Sequence, residues 1–241
     1  MYADTVFFTF LIIFFRQALF FLFKVVLVQG LLARLDYFKK RRVASDQNPF
    51  STSALIKNIL LSLLVASGLA ALSKQLYYSS SSSVAAAGFL QSPGVFLLSV
   101  LIYCLLFDLW FYVVHRLLHR DFFFRHIHGV HHQLRETNIL GVAYFHWAEI
   151  ALYGVCHLML AALLPMHLHA IIVAVLLIDL QNSLAHWGYE IFPEKWQRRL
   201  KYVMHSSDHA LHHRQSKNNY GYFSKIWDII FKTSQDSAGR A

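Results

Sequence analysis

The chain has 241 residues, 56% of them hydrophobic, with a mean hydropathy of +0.42, which excludes an ordinary water-soluble domain and points to membrane residence. Charged residues make up only 15%, yet the formal balance is +9, a bias that nucleic-acid binding, anionic headgroups or membrane topology could each produce. Two cysteines, Cys104 and Cys156, lie in apolar stretches and predict no structural disulfide, whereas fifteen histidines are a marked excess.

Spanning a bilayer core takes roughly 20 helical residues, and five segments approach or meet that length: Thr5 to Leu32, Ala54 to Ser73, Gly94 to Val114, Trp147 to Leu164 and Leu168 to Ala185. The first carries Arg16 and Lys24, which must snorkel or face protein; an interfacial helix is the other reading, and a retained anchor fits better than a cleaved signal peptide. The run from Lys39 to Arg42 reads as a solvated, headgroup-facing stretch. Ser79 to Ser83 reads as flexible filler. Only Pro165 and its neighbours separate the last two segments, so these form a helical hairpin that brings His146 and His186 to one membrane face.

If every segment crosses, one side receives 18 of the 22 Lys and Arg residues, and the positive-inside rule places that side in the cytosol. Topology then explains the charge, and nucleic acid drops out as a partner. The expected fold is all-α: a multi-pass transmembrane helical bundle of about four or five spans, including the hairpin, with a cytosolic helical cap. Residues 1–93 are expected to form N-terminal membrane helices and connecting loops, 94–233 a second domain that carries the histidines, and 234–241 a disordered tail.

Three histidine clusters occupy the expected cytosolic side. In the first, His115 and His119 are four apart, about 40° on an α-helix. The second, His128, His131 and His132, and the third, His209, His212 and His213, combine offsets of three and four, so that on helices all three rings can point one way. One such pair is weak, because a lone histidine on an apolar face is usually a hydrogen-bonded core residue. Three clusters on one side reverse that preference. Eight imidazoles exceed what one ion takes and suit two, while imidazole alone leaves zinc, copper, nickel and iron open.

His186 is a ninth candidate ligand, with Asn182 one turn earlier on the same face. His146 and His205 are candidate supporting residues. Asp108 and Asp179, each seven residues before a candidate ligand, are expected either to accept an imidazole N–H or to make a salt bridge or interhelical hydrogen bond. His126, His157, His167 and His169 read as structural.

With its order HxxxH, HxxHH, HxxHH, the chain resembles the fatty acid hydroxylase and sterol desaturase superfamily of integral-membrane di-iron enzymes. The likeness extends to the flanks, Phe111 to His119, Phe124 to His132, and Asn219-Tyr220-Gly221 through Trp227-Asp228 and Phe231, and covers residues 95 to 233. It departs at Trp147, where many sterol-acting relatives carry proline, and at Ser206-Ser207-Asp208 before the last box. The resemblance implies two iron ions, molecular oxygen as co-substrate, and hydroxylation or desaturation of a sterol, fatty acyl or sphingoid-like lipid. It also implies a separate electron donor, cytochrome b5-like or ferredoxin-like with its reductase, and residence in the endoplasmic reticulum membrane of a eukaryote or the inner membrane of a bacterium. A membrane metal transporter and a di-metal lipid hydrolase are the competing readings.

Overall fold

The computed structural model describes residues 2–44, 51–79 and 92–235. Most of the serine run, and the tail beyond residue 235, lie outside the described residues. The helices are α1 (Tyr2–Val25), α2 (Asp36–Lys39), α3 (Thr52–Ser79), α4 (Pro93–Leu118), α5 (Asp121–His126), α6 (Trp147–Leu163), α7 (Leu168–His186), α8 (Glu194–Arg199), α9 (Ser206–Gln215) and α10 (Ile226–Ile230). Among the described residues there is no β-strand, only two isolated antiparallel bridges, Arg42 to Tyr189 and Val203 to Ser224.

Among the described residues, four helical stretches are long and apolar enough to cross a bilayer: Val6–Arg34, Thr52–Ser79, Pro93–Leu118 and Leu168–His186. The first continues α1 through a π turn, Val26–Leu31, and a 3-10 turn, Leu32–Arg34. At 17 residues α6 is shorter, about 26 Å against the roughly 30 Å of a hydrocarbon core. This is a membrane protein whose lipid-facing surface is visible as exposed Phe7, Phe8, Ile12, Phe15 and Leu19 on α1 and Leu97, Leu98, Leu101 and Leu105 on α4. Such a patch in water would drive aggregation. In lipid it costs nothing.

Local chemistry sets the hairpin. Leu164, just before Pro165, is extended at φ −104° and ψ 128°, as the proline ring requires of its predecessor. His167 then caps α7 by accepting a hydrogen bond from His169 N at 3.1 Å. α6 lies along α3, α1 packs on α3, and α4 packs against both α6 and α7. Ala170 and Ala174 of α7 are fully buried, and small residues at such a crossing let backbones approach closely. The core between α4, α6 and α7 is aromatic, with Phe111 stacked on Tyr153 at 4.7 Å and touching Tyr222 at 4.5 Å.

Two of the intramembrane charges pair, while Arg16 is exposed on α1. Lys24 Nζ of α1 lies 2.5 and 2.6 Å from the two carboxylate oxygens of Asp179 on α7. Lys24 therefore faces protein, and Asp179 takes the salt-bridge alternative rather than reaching an imidazole. Asp108 of α4 serves the C-terminal segment. It accepts hydrogen bonds from Phe223 N, Ser224 N, Ser224 Oγ and Trp227 Nε1. The C-terminal end of α4, the C-terminal end of α7 and the N-terminal end of α6 meet at one end of the bundle, where the histidines collect.

Candidate metal centre

Nine buried or half-buried histidines form two adjoining groups. His115, His119, His128, His132 and His212 make one, and His131, His186, His209 and His213 the other, with one nitrogen of each residue within 4.8 Å of those of all others in its group. These are the nine residues whose spacing or position singled them out in the sequence. The grouping differs from the expectation that each box points one way. In every box the i, i+4 pair shares a group (115 with 119, 128 with 132, 209 with 213), while the third members, His131 and His212, cross to the other group. The middle box is also a 3-10 turn, His128–Gln133, rather than an α-helix.

The rings are held from outside. Nδ1 of His115 donates to Tyr220 O, of His131 to Tyr144 O, of His186 to Asn182 O, of His212 to Asn218 O and of His213 to Leu134 O, at 2.6 to 3.0 Å. A carbonyl oxygen only accepts, so Nδ1 carries the proton in all five and Nε2 is a bare lone pair. His132 Nδ1 meets the Ser216 hydroxyl at 3.1 Å.

His131 Nε2 and His186 Nε2 are 3.1 Å apart. Two lone pairs at that distance cannot hydrogen-bond to each other and would repel. A cation between them turns the repulsion into coordination. Neighbouring donors around an ion with bonds of about 2.1 Å at right angles sit about 3.0 Å apart. The inward Nε2 pairs His119 to His212, His119 to His128, His186 to His209 and His209 to His213 lie at 3.0 to 3.1 Å. The donor set fits two transition-metal ions.

Burial keeps the imidazoles available as neutral donors. It holds His128, His131, His132, His209 and His213 well below the usual histidine range, with neighbouring imidazoles adding to the effect. Burial likewise lowers His119 to about 2 and His212 to about 4.

One supporting residue has no counterpart in the sequence reading. Glu149, in the first turn of α6 and fully buried, accepts from His128 Nδ1 at 2.8 Å and from the Tyr153 hydroxyl at 3.3 Å, both at Oε1. An acid inside an apolar segment was the available signal, and it marks Glu149 as it marks Asp108 and Asp179. The other supporting candidates divide. Asn182 contributes its backbone oxygen to His186, while its side chain donates to Val142 O. His146 caps α6 through Ala148 N, and His205 caps α9 opposite Asp208, so neither belongs to a group. Asp108 acts at one remove, because the segment it pins carries Tyr220, whose carbonyl holds His115. Of the histidines read as structural, His157 bonds the Tyr103 hydroxyl at 2.7 Å, and His126, His167 and His169 make only local bonds.

A small cavity of about 20 Å³, room for a water-sized molecule, borders both groups. His115, His128, His131, His186, His209 and Glu149 form its polar side, and Phe111, Phe145, Tyr153, Met204 and Tyr222 its apolar side.

The model of the fatty acid hydroxylase family matches residues 100–233, more than half of the chain. Very-long-chain aldehyde decarbonylase GL1-11 of Oryza sativa subsp. indica is 29% identical over 212 residues, covering 86% of this chain and 76% of that protein. Very-long-chain aldehyde decarbonylase GL1-10 of Oryza sativa subsp. japonica is 28% identical over 149 residues, 61% of this chain and 49% of its own length. C-4 methylsterol oxidase erg25 of Schizosaccharomyces pombe is 31% identical over 134 residues, 54% of this chain and 44% of that protein. The chain thus spans less than half the length of two of these relatives. No solved structure matches. On its sequence, this chain belongs to the fatty acid hydroxylase family.

Proposed function

We propose that this protein is an oxygen-dependent dinuclear iron enzyme of the membrane that hydroxylates or desaturates a lipid, of sterol, fatty acyl or sphingoid-like class, at an unactivated C–H bond. The observation that carries the reading is the pair of adjoining histidine groups whose bare Nε2 atoms face each other. His115, His119, His128, His132 and His212 hold one ion, and His131, His186, His209 and His213 the other. Iron bound there supplies the activation of dioxygen, chemistry that amino-acid side chains do not perform alone.

The chain's own residues do the rest. The Nδ1 anchors fix ring orientation and tautomer. Phe111, Phe145, Tyr153, Met204 and Tyr222 give the small cavity beside the ligands one apolar wall, a surface suited to a C–H bond rather than to water. Relatives named for a methylsterol and for very-long-chain aldehydes support a long apolar substrate. A transporter needs ligands spread through the depth of the bilayer, and the gathering of all nine at one end of the bundle favours the enzyme.

Electrons come from a separate cytochrome b5-like or ferredoxin-like protein and its reductase, attracted to the basic face that carries the boxes. That face is cytosolic, on the endoplasmic reticulum in a eukaryote or the inner membrane in a bacterium. The test is His131→Ala and His212→Ala, with bound iron and oxygen consumption measured. Both should fall, and unchanged iron and turnover overturn the reading. Comparative lipidomics of cells with and without the protein then identifies the substrate by a gain of one oxygen or a loss of two hydrogens.

A further inference from the structure

Of the seven ligand imidazoles whose Nδ1 partner is described above, His128 alone is held by a carboxylate. Five are held by backbone carbonyls and His132 by a hydroxyl. The difference is chemical. A carboxylate accepts a charge-assisted hydrogen bond roughly twice as strong as a neutral one, and it raises the basicity of the imidazole it holds. Nine neutral imidazoles offset none of the charge of two dications, whereas a carboxylate one bond behind a ligand does so locally. Glu149 is fully buried, and its second oxygen, Oε2, has no hydrogen-bond partner among the described residues. A buried carboxyl kept merely for packing would be expected to satisfy both oxygens or to be replaced by an amide or an apolar residue. Glu149 also lines the cavity beside the two groups, so its charge lies next to the ions that would compensate it.

We infer that Glu149 makes the two ion sites unequal: acting through His128, it renders the five-histidine group the tighter one and the first to fill. This rests on the dinuclear reading above. Glu149 is a positioning residue, and its effect is confined to one of two adjoining groups whose His132 and His213 rings lie 4.7 Å apart.

The test uses cobalt(II) as the probe ion, titrated into the metal-stripped full chain in detergent and read by its visible ligand-field absorption. The wild type should take two ions. His213→Ala weakens the four-histidine group, so its remaining ion reports the five-histidine group, and His132→Ala does the converse. Adding Glu149→Gln to His213→Ala should weaken the remaining ion about 10- to 100-fold. Adding it to His132→Ala should leave the remaining ion within about twofold. Glutamine keeps an acceptor oxygen and nearly the same volume, so a purely structural hydrogen bond survives this change and the loss isolates the charge. Equal loss in both backgrounds, or none in the first, overturns the inference.

A second readout does not depend on that variant folding. With less than one equivalent of cobalt, the wild-type spectrum should match His213→Ala, and a match to His132→Ala instead overturns the inference. A wild type that takes up fewer than two cobalt ions overturns the dinuclear reading itself, whereas two ions indifferent to Glu149 overturn only this proposal.

Discussion

Lys24 and Asp179, 155 residues apart, close on each other with Nζ 2.5 and 2.6 Å from the two carboxylate oxygens and tie the first membrane helix to the one that ends at His186. Removing one partner strands a charge in an apolar setting, and removing both does not. Lys24→Met should therefore destabilise the protein in micelles, by less than the roughly 3 to 5 kcal/mol of a fully buried pair because Asp179 is partly exposed, and Lys24→Met with Asp179→Asn should recover most of that loss. Thermal unfolding of the two variants in detergent checks the sign, and an equal loss in both would show the pair contributes no coupling.

Gly141 lies against His186. A Cβ at that position would stand 2.7 Å from His186 Cδ2 and 3.3 Å from Cγ, inside normal contact. Gly141→Ala should push the ring off its place and empty the four-histidine group first, so that metal content falls from two ions per chain toward one. Elemental analysis of the purified variant gives the answer directly.

Asp108 gathers four donors from the C-terminal segment, and that segment supplies the carbonyl behind His115. Asp108→Ala leaves those donors unmatched, a penalty of about 1 to 3 kcal/mol for each group that stays buried and unsatisfied. The expected result is a lower melting temperature together with reduced occupancy of the five-histidine group, although Asp108 touches no ligand ring.

The metal-free protein should lose stability in mild acid. Burial lowers His212 to about 4 and His119 to about 2 in the folded state, while an unfolded histidine titrates near about 6.5. Below that value the unfolded chain binds protons that the folded chain does not, so stability falls with pH. It is fully present above about 6.5 and is lost progressively as pH drops toward about 4. Melting temperature measured from pH 8 to pH 5, with and without added metal, should show the decline in the metal-free sample.

What the sequence alone determined is what short-range geometry controls. Hydropathy runs that approach or meet the length of a bilayer span marked five segments, among them the four long helices, and Pro165 marked the hairpin. The offset of four, about one helical turn, put His115 and His119 on one face, whereas the three rings of each later box, expected together, divide between the groups. Position at the mouth of the hairpin nominated His186.

Only the tertiary structure decided which group each third histidine joins and what stands behind each ring. His131 and His212 cross between the groups because two elements from distant parts of the chain, one turn after α5 and one helix after α8, face each other across the centre. Glu149 reaches His128 because α6 begins beside the middle box. Asp179 turns to Lys24 instead, since α1 brings a full positive charge that a neutral imidazole cannot match. The anchors at Tyr220, Tyr144 and Leu134 are backbone carbonyls, which every residue possesses, so no side-chain pattern could reveal them.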